Sequence, residues 1–273
     1  VKKALAPLGE EYLSHIREAM ENRWIDVYEN KGKRTGAYSW GTYRSHPYVL
    51  LNYNGTAHDV FTIAHELGHS MHSYYSDKNQ PSSKAQYEIF VAEVASTVNE
   101  VLLLKYMLEH SRDEQEREYL LTYYLDMFRT TLFRQTQFAE FEEKAHALAE
   151  KDMPVTCDAL NEEYLKINKL YYGKNVVSDK QIAWEWARIP HFYRSFYVYK
   201  YATGLTSAVS IARGILSGGE KEKKGYMKFL SAGGSMPPVE ILKLAGVDLT
   251  TEVPFENAMR EMADTLGLLK REK

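Results

Sequence analysis

Two histidines spaced four residues apart constrain this chain more than any other feature of its sequence. His65 and His69 stand in a largely apolar stretch, residues 60–71, whose spacing predicts a buried helix. Residues four apart project from one face of a helix about one turn from each other, so the two imidazoles can converge on a single Zn²⁺. Glu66 directly follows the first histidine, where its carboxylate can take a proton from a metal-bound water.

The third ligand has to come from another part of the chain. His72 lies on nearly the same helix face as the first histidine, and we expect it to support a ligand or to pack rather than to bind metal. A second helix, predicted from about residue 85 to 110, carries Glu88, Glu93 and Glu100. Glu93 is flanked by apolar residues, where a solvated charge is least expected, so it is the predicted third ligand. Glu100 follows one heptad later and is predicted to hold a ligand histidine or the region of Glu93.

Length and composition limit the class of protein. The chain has 273 residues, is 44% hydrophobic and carries a net charge of −3, which fits one globular domain over residues 1–273 with no nucleic-acid partner. No apolar run reaches the roughly 18 residues that a membrane span requires. Cys157 is the single cysteine, so an internal disulfide is excluded. Because the N-terminus lacks both a secretory signal and a methionine, we expect a piece of a longer, cytoplasmic protein.

The segment before the two-histidine helix has the pattern of strands. Residues 35–43 and 47–53 are rich in aromatic and branched side chains, and the turn between them predicts a β-hairpin. An exposed strand edge there could align an extended peptide by backbone pairing, with Gly36, Ala37 and Tyr38 as candidate substrate-binding residues. A hairpin that serves only packing explains the pattern equally well.

The remaining chain has helical spacing, so the predicted fold class is mainly α with a small β-hairpin before the two-histidine helix. The predicted helices cover about residues 7–28, 56–75, 85–110, 113–150 as one helix or a kinked pair, 157–172, 203–217, 238–245 and 254–268. The charged run at residues 220–224 is interpreted as a solvated face.

Residues 184–201 form a second informative segment, dense in aromatic side chains. Peptide hydrolysis at a metal requires a hydrogen-bond donor for the oxyanion, and histidine or tyrosine can supply it. His191 follows a proline and is expected on a loop. The candidate tyrosines are Tyr193, Tyr197, Tyr199 and Tyr201. An aromatic packing cluster is the alternative interpretation.

Taken together, these motifs resemble the thimet oligopeptidase and oligoendopeptidase F family of zinc peptidases, and oligoendopeptidase F most closely. The resemblance is carried by residues 65–69 with His72, residues 90–97, Asn99 with Glu100, and the hairpin residues 36–38 and 50–53. It implies a helical, zincin-type catalytic domain with one Zn²⁺ held by His65, His69 and Glu93. It also implies that the chain is the C-terminal catalytic portion of a longer enzyme, without the N-terminal helical region.

The resemblance implies short peptides as substrates and favours His191 and Tyr199 as the groups that stabilise the transition state. Tyr193 and Tyr197 are then candidates for contacting substrate. The predicted reaction is hydrolysis of internal peptide bonds by a zinc-activated water, with Glu66 as general base. Two alternatives stay open: a non-catalytic helical binding module with a structural zinc, and a metallocarboxypeptidase. The oligomeric state is not predicted.

Overall fold

A computed structural model describes residues 1–271, and most of them are helical. The α-helices are α1 Glu10–Glu21, α2 Ala57–Asn79, α3 Ser82–Ala85, α4 Ile89–Glu109, α5 Glu114–Met127, α6 Arg134–Glu150, α7 Cys157–Tyr172, α8 Tyr199–Gly218, α9 Glu220–Leu230, α10 Pro238–Leu244 and α11 Val253–Arg271. Short 3₁₀ helices cover Ala6–Leu8, Lys180–Arg188 and Pro190–Tyr193, and a π-helix covers Phe128–Phe133. The predicted mainly-α fold class is confirmed.

The chain divides into two compact units. Residues 1–125 and the residues from 204 onwards form the first unit, and residues 126–203 form the second. The chain leaves the first unit within α5 and returns to it within α8. The prediction of a single domain stays a prediction, since two compact units can belong to one folding domain.

Helix α2 is the central element of the first unit, and its start is determined locally. The Thr56 hydroxyl accepts a hydrogen bond from the Asp59 N–H at 3.2 Å. The Asp59 carboxylate in turn accepts one from the Thr56 N–H at 2.8 Å. This capping box satisfies two N–H groups that would otherwise lack partners at the helix start. The predicted start is therefore confirmed, whereas the helix ends at Asn79 instead of near residue 75.

A small three-stranded sheet precedes α2 in the chain. The strands are β1 Ile25–Asp26, β2 Tyr38–Trp40 and β3 Tyr48–Leu50, in the order β1-β3-β2. β2 pairs antiparallel with β3, which confirms the predicted hairpin, although each strand is only three residues long. β1 pairs parallel with β3 on its other side. β2 therefore forms one edge of the sheet.

The first predicted helix, residues 7–28, is wrong in its second half. Helix α1 ends at Glu21, and Arg23 adopts a left-handed conformation with φ of 63°. The chain then enters β1, where the Val49 N–H donates to the Trp24 carbonyl at 2.7 Å. Apolar residues such as Trp24 and Val27 fit either a helical or a strand period, and the distant strand β3 decides between them.

One further boundary prediction is wrong. The predicted helix from residue 85 begins only at Ile89, because Glu88 is extended at its N-cap and α3 is a separate turn. The charged run at residues 220–224 is largely exposed, as expected for a solvated face, but it also begins α9, a helix that the sequence did not predict. The helix is amphipathic: its charged first turn is followed by the buried residues Tyr226, Phe229 and Leu230.

The second unit contains the π-helix, α6, α7 and the two later 3₁₀ helices, with the ends of α5 and α8. Its core consists of the buried residues Phe138, Phe141, Tyr164, Ile167, Ile189 and Val198. The segment predicted over residues 113–150 is helical from Glu114 to Glu150, and the π-helix separates α5 from α6. Helix α7 has the predicted bounds, and the Thr156 hydroxyl accepts the Ala159 N–H at 3.2 Å as its cap. Within residues 1–271, no helix has the length and apolarity to cross a membrane.

Candidate metal centre

The three predicted ligands lie close together on two packed helices of the first unit. His65 and His69 project from α2 and Glu93 from α4, and the candidate donor atoms of the three side chains all lie within 4.8 Å of one another. The two histidine Nε2 atoms are 3.1 Å apart. Glu93 Oε2 lies 3.5 Å from Nε2 of His65 and 3.7 Å from Nε2 of His69.

These separations match the coordination geometry of a tetrahedral metal ion. Zinc bonds to histidine nitrogen and carboxylate oxygen of about 2.0–2.1 Å place neighbouring ligand atoms about 3.3–3.4 Å apart. The three observed separations, 3.1, 3.5 and 3.7 Å, bracket that value. Two imidazoles and one carboxylate are also a donor set that zinc prefers. The side chains present therefore fit a metal ion without rearrangement of the backbone.

Each ligand histidine has a second contact that orients its ring. The Nδ1 atom of His65 is hydrogen-bonded to the Glu100 carboxylate, whose side chain is 15% exposed. His69 has a hydrogen bond to the backbone of Ala92. Acceptors of this kind fix the tautomer and the direction of the ring, so that the other nitrogen is directed to the metal. Glu100 thus contacts a predicted ligand histidine, which is one of the two contacts that the sequence analysis predicted for it.

The electrostatic environment differs between the two histidines. Burial lowers the pKa of His65, but the surrounding carboxylates, of which Glu100 has the largest effect, raise it to about 9. Burial, with the neighbouring His65 and His72, lowers the pKa of His69 well below its usual value. His69 is therefore neutral at pH 7, the form in which an imidazole binds a metal.

Glu66 lies beside the three donors as a nearly buried carboxyl group, 6% exposed. Burial raises its pKa to about 7, and the Glu93 and Glu100 carboxylates add to this rise while His65 opposes it. Its Oε2 atom has no hydrogen-bond partner among the described residues. A buried carboxyl group in this state can exchange a proton near neutral pH.

His72 is placed differently from the ligand histidines. Its ring is fully buried and stacks on Tyr87, with centroids 3.6 Å apart and planes 4° from parallel. Neither ring nitrogen has a hydrogen-bond partner among the described residues, and burial lowers the pKa of His72 to about 3. This position favours the packing role over direct support of a ligand.

The hairpin brings an open strand edge next to α2. The Ser39 hydroxyl on β2 lies 2.8 Å from the Ser70 hydroxyl on α2, and a backbone hydrogen bond from Ser39 lowers the pKa of Glu66. Tyr38 and Trp40, on the same strand, are 52% and 71% exposed. A cavity of about 250 Å³ lies between the hairpin segment and the start of α2. It is lined by Gly36, Ala37, Leu51, Asn52, Tyr53, His58, Asp59 and Thr62.

The predicted oxyanion donors lie in the second unit, where the His191 and Tyr197 rings are in contact with each other and with Tyr201. His191 is exposed and belongs to a 3₁₀ helix, so the loop predicted for it is wrong. Its ring lies 5.5 Å from that of Tyr197, and its Nε2 atom is 3.4 Å from the Tyr201 hydroxyl. Tyr193 is 86% exposed. Tyr199 begins α8 two residues before Tyr201.

Comparison with known proteins decides the family. The sequence profile of Peptidase family M3 matches residues 2–261. The chain belongs to this family. The resemblance of its motifs to oligoendopeptidase F is also confirmed, because proteins of that name match nearly the whole chain.

The M3 relatives are bacterial oligopeptidases. The chain is 50% identical to oligopeptidase PepF of Bacillus subtilis over 264 residues, which cover 97% of this chain and 39% of that protein. It is 44% identical to the chromosomal oligoendopeptidase F of Lactococcus lactis, with 99% and 46% of the two chains covered. The crystal structure of oligoendopeptidase F from Enterococcus faecium is 37% identical and superposes with a TM-score of 0.75, over 99% of this chain and 42% of that one. The chain thus spans less than half the length of these relatives.

Two buried residues, Gly68 and Asn99, support the centre; the sequence marked them only as part of the family resemblance and assigned them no role. A Cβ atom on Gly68 would lie 2.5 Å from the Ser96 Cα atom, so only glycine allows α2 and α4 to approach this closely. The Asn99 amide donates to the Ala64 carbonyl at 3.0 Å and accepts from the Tyr12 hydroxyl at 3.0 Å. A glycine inside a predicted helix was the available signal for the close approach.

Proposed function

We propose that this chain carries the catalytic part of a zinc metallo-endopeptidase that hydrolyses internal bonds of short oligopeptides. The main support is the group of three donors, His65, His69 and Glu93, whose separations of 3.1–3.7 Å suit one tetrahedral ion. Several M3 relatives are named as oligopeptidases or oligoendopeptidases, which supports peptides as the substrate class.

The number of donors supports a catalytic rather than a structural ion. Structural zinc sites use four protein ligands, whereas catalytic sites use three and keep one position for water or substrate. Within residues 1–271, the group that could hold a metal contains three residues, His65, His69 and Glu93. A purely structural zinc in a binding module is therefore disfavoured.

In the proposed reaction, the roles of the protein's own side chains follow from their positions. When bound, the metal supplies Lewis-acid polarisation of the scissile carbonyl and acidifies the attacking water. Glu66 takes a proton from this water through its free carboxylate oxygen and passes it to the leaving amine. A pKa near 7 lets one carboxyl group perform both transfers at neutral pH.

The substrate is proposed to lie along the open edge of β2. Backbone pairing with an edge strand holds a peptide in an extended conformation, and this pairing does not depend on the peptide's sequence. Gly36, Ala37 and Tyr38 are the proposed binding residues at the start of this edge. His191 and Tyr199 are proposed to stabilise the oxyanion, with Tyr193 and Tyr197 contacting substrate.

The test is hydrolysis of an internally quenched peptide whose C-terminus is amidated. Glu66→Gln removes the general base but keeps the three donors, so kcat should fall by about 10²- to 10⁴-fold with bound metal unchanged. Glu88→Gln changes an exposed carboxylate on the neighbouring helix and serves as the matched control. Normal turnover by Glu66→Gln contradicts the mechanism. Cleavage that requires a free C-terminal carboxylate indicates a carboxypeptidase instead.

A further inference from the structure

Glu142 is a buried carboxylate in the second unit to which the proposed reaction assigns no role. It lies on α6 and is 5% exposed. Its Oε1 atom accepts a hydrogen bond from the backbone N–H of Phe196 at 2.6 Å. A hydrogen bond to an ionised acceptor is roughly twice as strong as one between neutral groups.

The residue that Glu142 holds has an unusual backbone conformation. Phe196 has a φ of 55°, in the left-handed region that bulky side chains rarely adopt. Such a conformation costs about 1–3 kcal/mol and persists only when the surrounding structure holds it. The side chain of Phe196 is also held, because its ring lies 4.6 Å from that of His146, one turn after Glu142 on α6. Helix α6 thus contacts both the backbone and the ring of this residue.

The turn at Phe196 brings the residues before it in the aromatic segment into contact with those after it. His191 precedes the turn, and Tyr197 and Tyr201 follow it. The left-handed residue redirects the chain, so that the Tyr197 ring comes within 5.5 Å of the His191 ring. The Tyr201 hydroxyl comes within 3.4 Å of His191 Nε2. A change of φ at Phe196 would separate the groups before the turn from those after it.

We propose that Glu142 is a positioning residue that holds the Phe196 turn and thereby sets the placement of His191 relative to Tyr197 and Tyr201. Glu142 acts through the backbone and does not contact the reacting atoms. The catalytic meaning of this placement rests on the proposed function, in which His191 and a neighbouring tyrosine stabilise the oxyanion. A misplacement of about 1 Å in such groups can lower turnover about 10²-fold.

The experiment compares Glu142→Ala, which removes the acceptor, with Glu142→Gln, which keeps a neutral acceptor oxygen. Glu143→Gln changes the exposed neighbour on the same helix and is the matched control. For each variant of the metal-loaded chain, one measures kcat and KM with the quenched peptide, bound metal, and hydrogen exchange of the peptide fragment that contains Phe196.

Glu142→Ala should lower kcat about 10- to 100-fold with KM within about threefold of wild type, since an interaction made in the transition state is lost. Its metal content should be unchanged, and exchange at the Phe196 amide should rise about tenfold or more. Glu142→Gln should recover most of kcat, and Glu143→Gln should match wild type. If Glu142→Ala fails to fold, Glu142→Asp is measured instead, because its shorter side chain withdraws the acceptor from the Phe196 N–H. Wild-type kcat and exchange in Glu142→Asp would overturn the proposal.

Two results would contradict this inference without touching the proposed function. One is an active wild type whose Glu142→Ala variant keeps both kcat and the slow exchange at Phe196. The other is faster exchange at Phe196 with unchanged kcat, which would make the contact structural only. Failure of the proposed function shows differently, as a wild-type chain without hydrolysis or a fully active Glu66→Gln variant.

Discussion

Glu100 is proposed to influence the metal centre through a predicted ligand histidine, without binding the ion itself. Its carboxylate is bonded to Nδ1 of His65 and also has the largest raising effect on the pKa of that ring. Removing such an orienting partner commonly lowers metal affinity about 10- to 100-fold. We expect this loss for Glu100→Gln in competition with a chelator, and no loss for the exposed control Glu88→Gln. Unchanged affinity would show that Glu100 does not orient the ligand.

His72 provides the opposite case at the same scale. Its ring is buried, stacks on Tyr87, and has no partner for either nitrogen among the described residues. Phenylalanine keeps the stacked shape and removes two unsatisfied polar atoms. His72→Phe should therefore have a free energy of unfolding within about 1 kcal/mol of wild type and keep its metal, while His72→Ala should cost about 3–5 kcal/mol. Denaturant unfolding checks this, and loss of metal in His72→Phe would assign the ring to ligand support.

At the scale of elements, the centre depends on the close packing of α2 on α4. A methyl group on Gly68 would meet the Ser96 Cα atom at 2.5 Å and the Ala95 carbonyl oxygen at 2.6 Å. Because both contacts are backbone atoms, the helices must move apart, and Gly68→Ala should cost about 1–3 kcal/mol or more and weaken metal binding.

Gly267 provides the control for this substitution. It lies in α11, and within the described residues 1–271 a methyl group added there would meet no atom within 4 Å apart from the adjacent backbone of its own helix. Gly267→Ala should stabilise the protein by about 0.5–1 kcal/mol, because alanine favours the helical backbone. Thermal unfolding of both variants separates close packing from helix propensity, and equal effects of the two substitutions would refute the packing argument.

The 3₁₀ helix at Lys180–Arg188 should respond to acid through Glu185. Its Oε1 atom accepts from Arg134 and Arg188 at 2.5 Å each, and its Oε2 atom accepts from the Tyr164 hydroxyl at 2.6 Å. Burial raises the pKa of Glu185, but these hydrogen bonds outweigh it and hold the pKa below the usual 4.5. A lowered folded-state pKa gives stability that is complete above pH 4.5 and is lost as the pH falls through the folded value.

Glu185→Gln should therefore cost about 1–3 kcal/mol at pH 7, and its difference from wild type should shrink below pH 4.5. Unfolding measured at several pH values tests this, with Glu162→Gln, at an exposed position of α7, as control. A difference from wild type that is the same at pH 7 and in acid would contradict the assignment.

The elements that the sequence predicted well carry local signals. Thr56 and Thr156 cap α2 and α7 with their own side chains, and the apolar flanks of Glu93 indicated its burial. β1 was missed because a two-residue strand forms only through its pairing with β3. The contact of Tyr201 with His191 was missed because it follows the left-handed turn at Phe196, which no local pattern indicates. Contacts between distant segments thus account for most of what sequence reasoning lacked.

At the scale of the whole molecule, the metal donors and the aromatic segment belong to different units. His65, His69 and Glu93 lie in the first unit, and His191 lies in the second. Binding of the metal should therefore depend on residues of the first unit, while turnover should depend on residues of both. The relatives are more than twice as long as this chain, so the proposed activity concerns a part that covers 39–46% of them.

The number of zinc ions bound per chain, measured by mass spectrometry of the purified protein and of two variants, tests the proposed metal centre. We expect one ion in wild type, one in Glu66→Gln, and a strongly reduced content in Glu93→Ala, because Glu93 is a proposed ligand and Glu66 is not. Full occupancy in Glu93→Ala, or no stoichiometric metal in wild type, would show that His65, His69 and Glu93 do not form a metal centre.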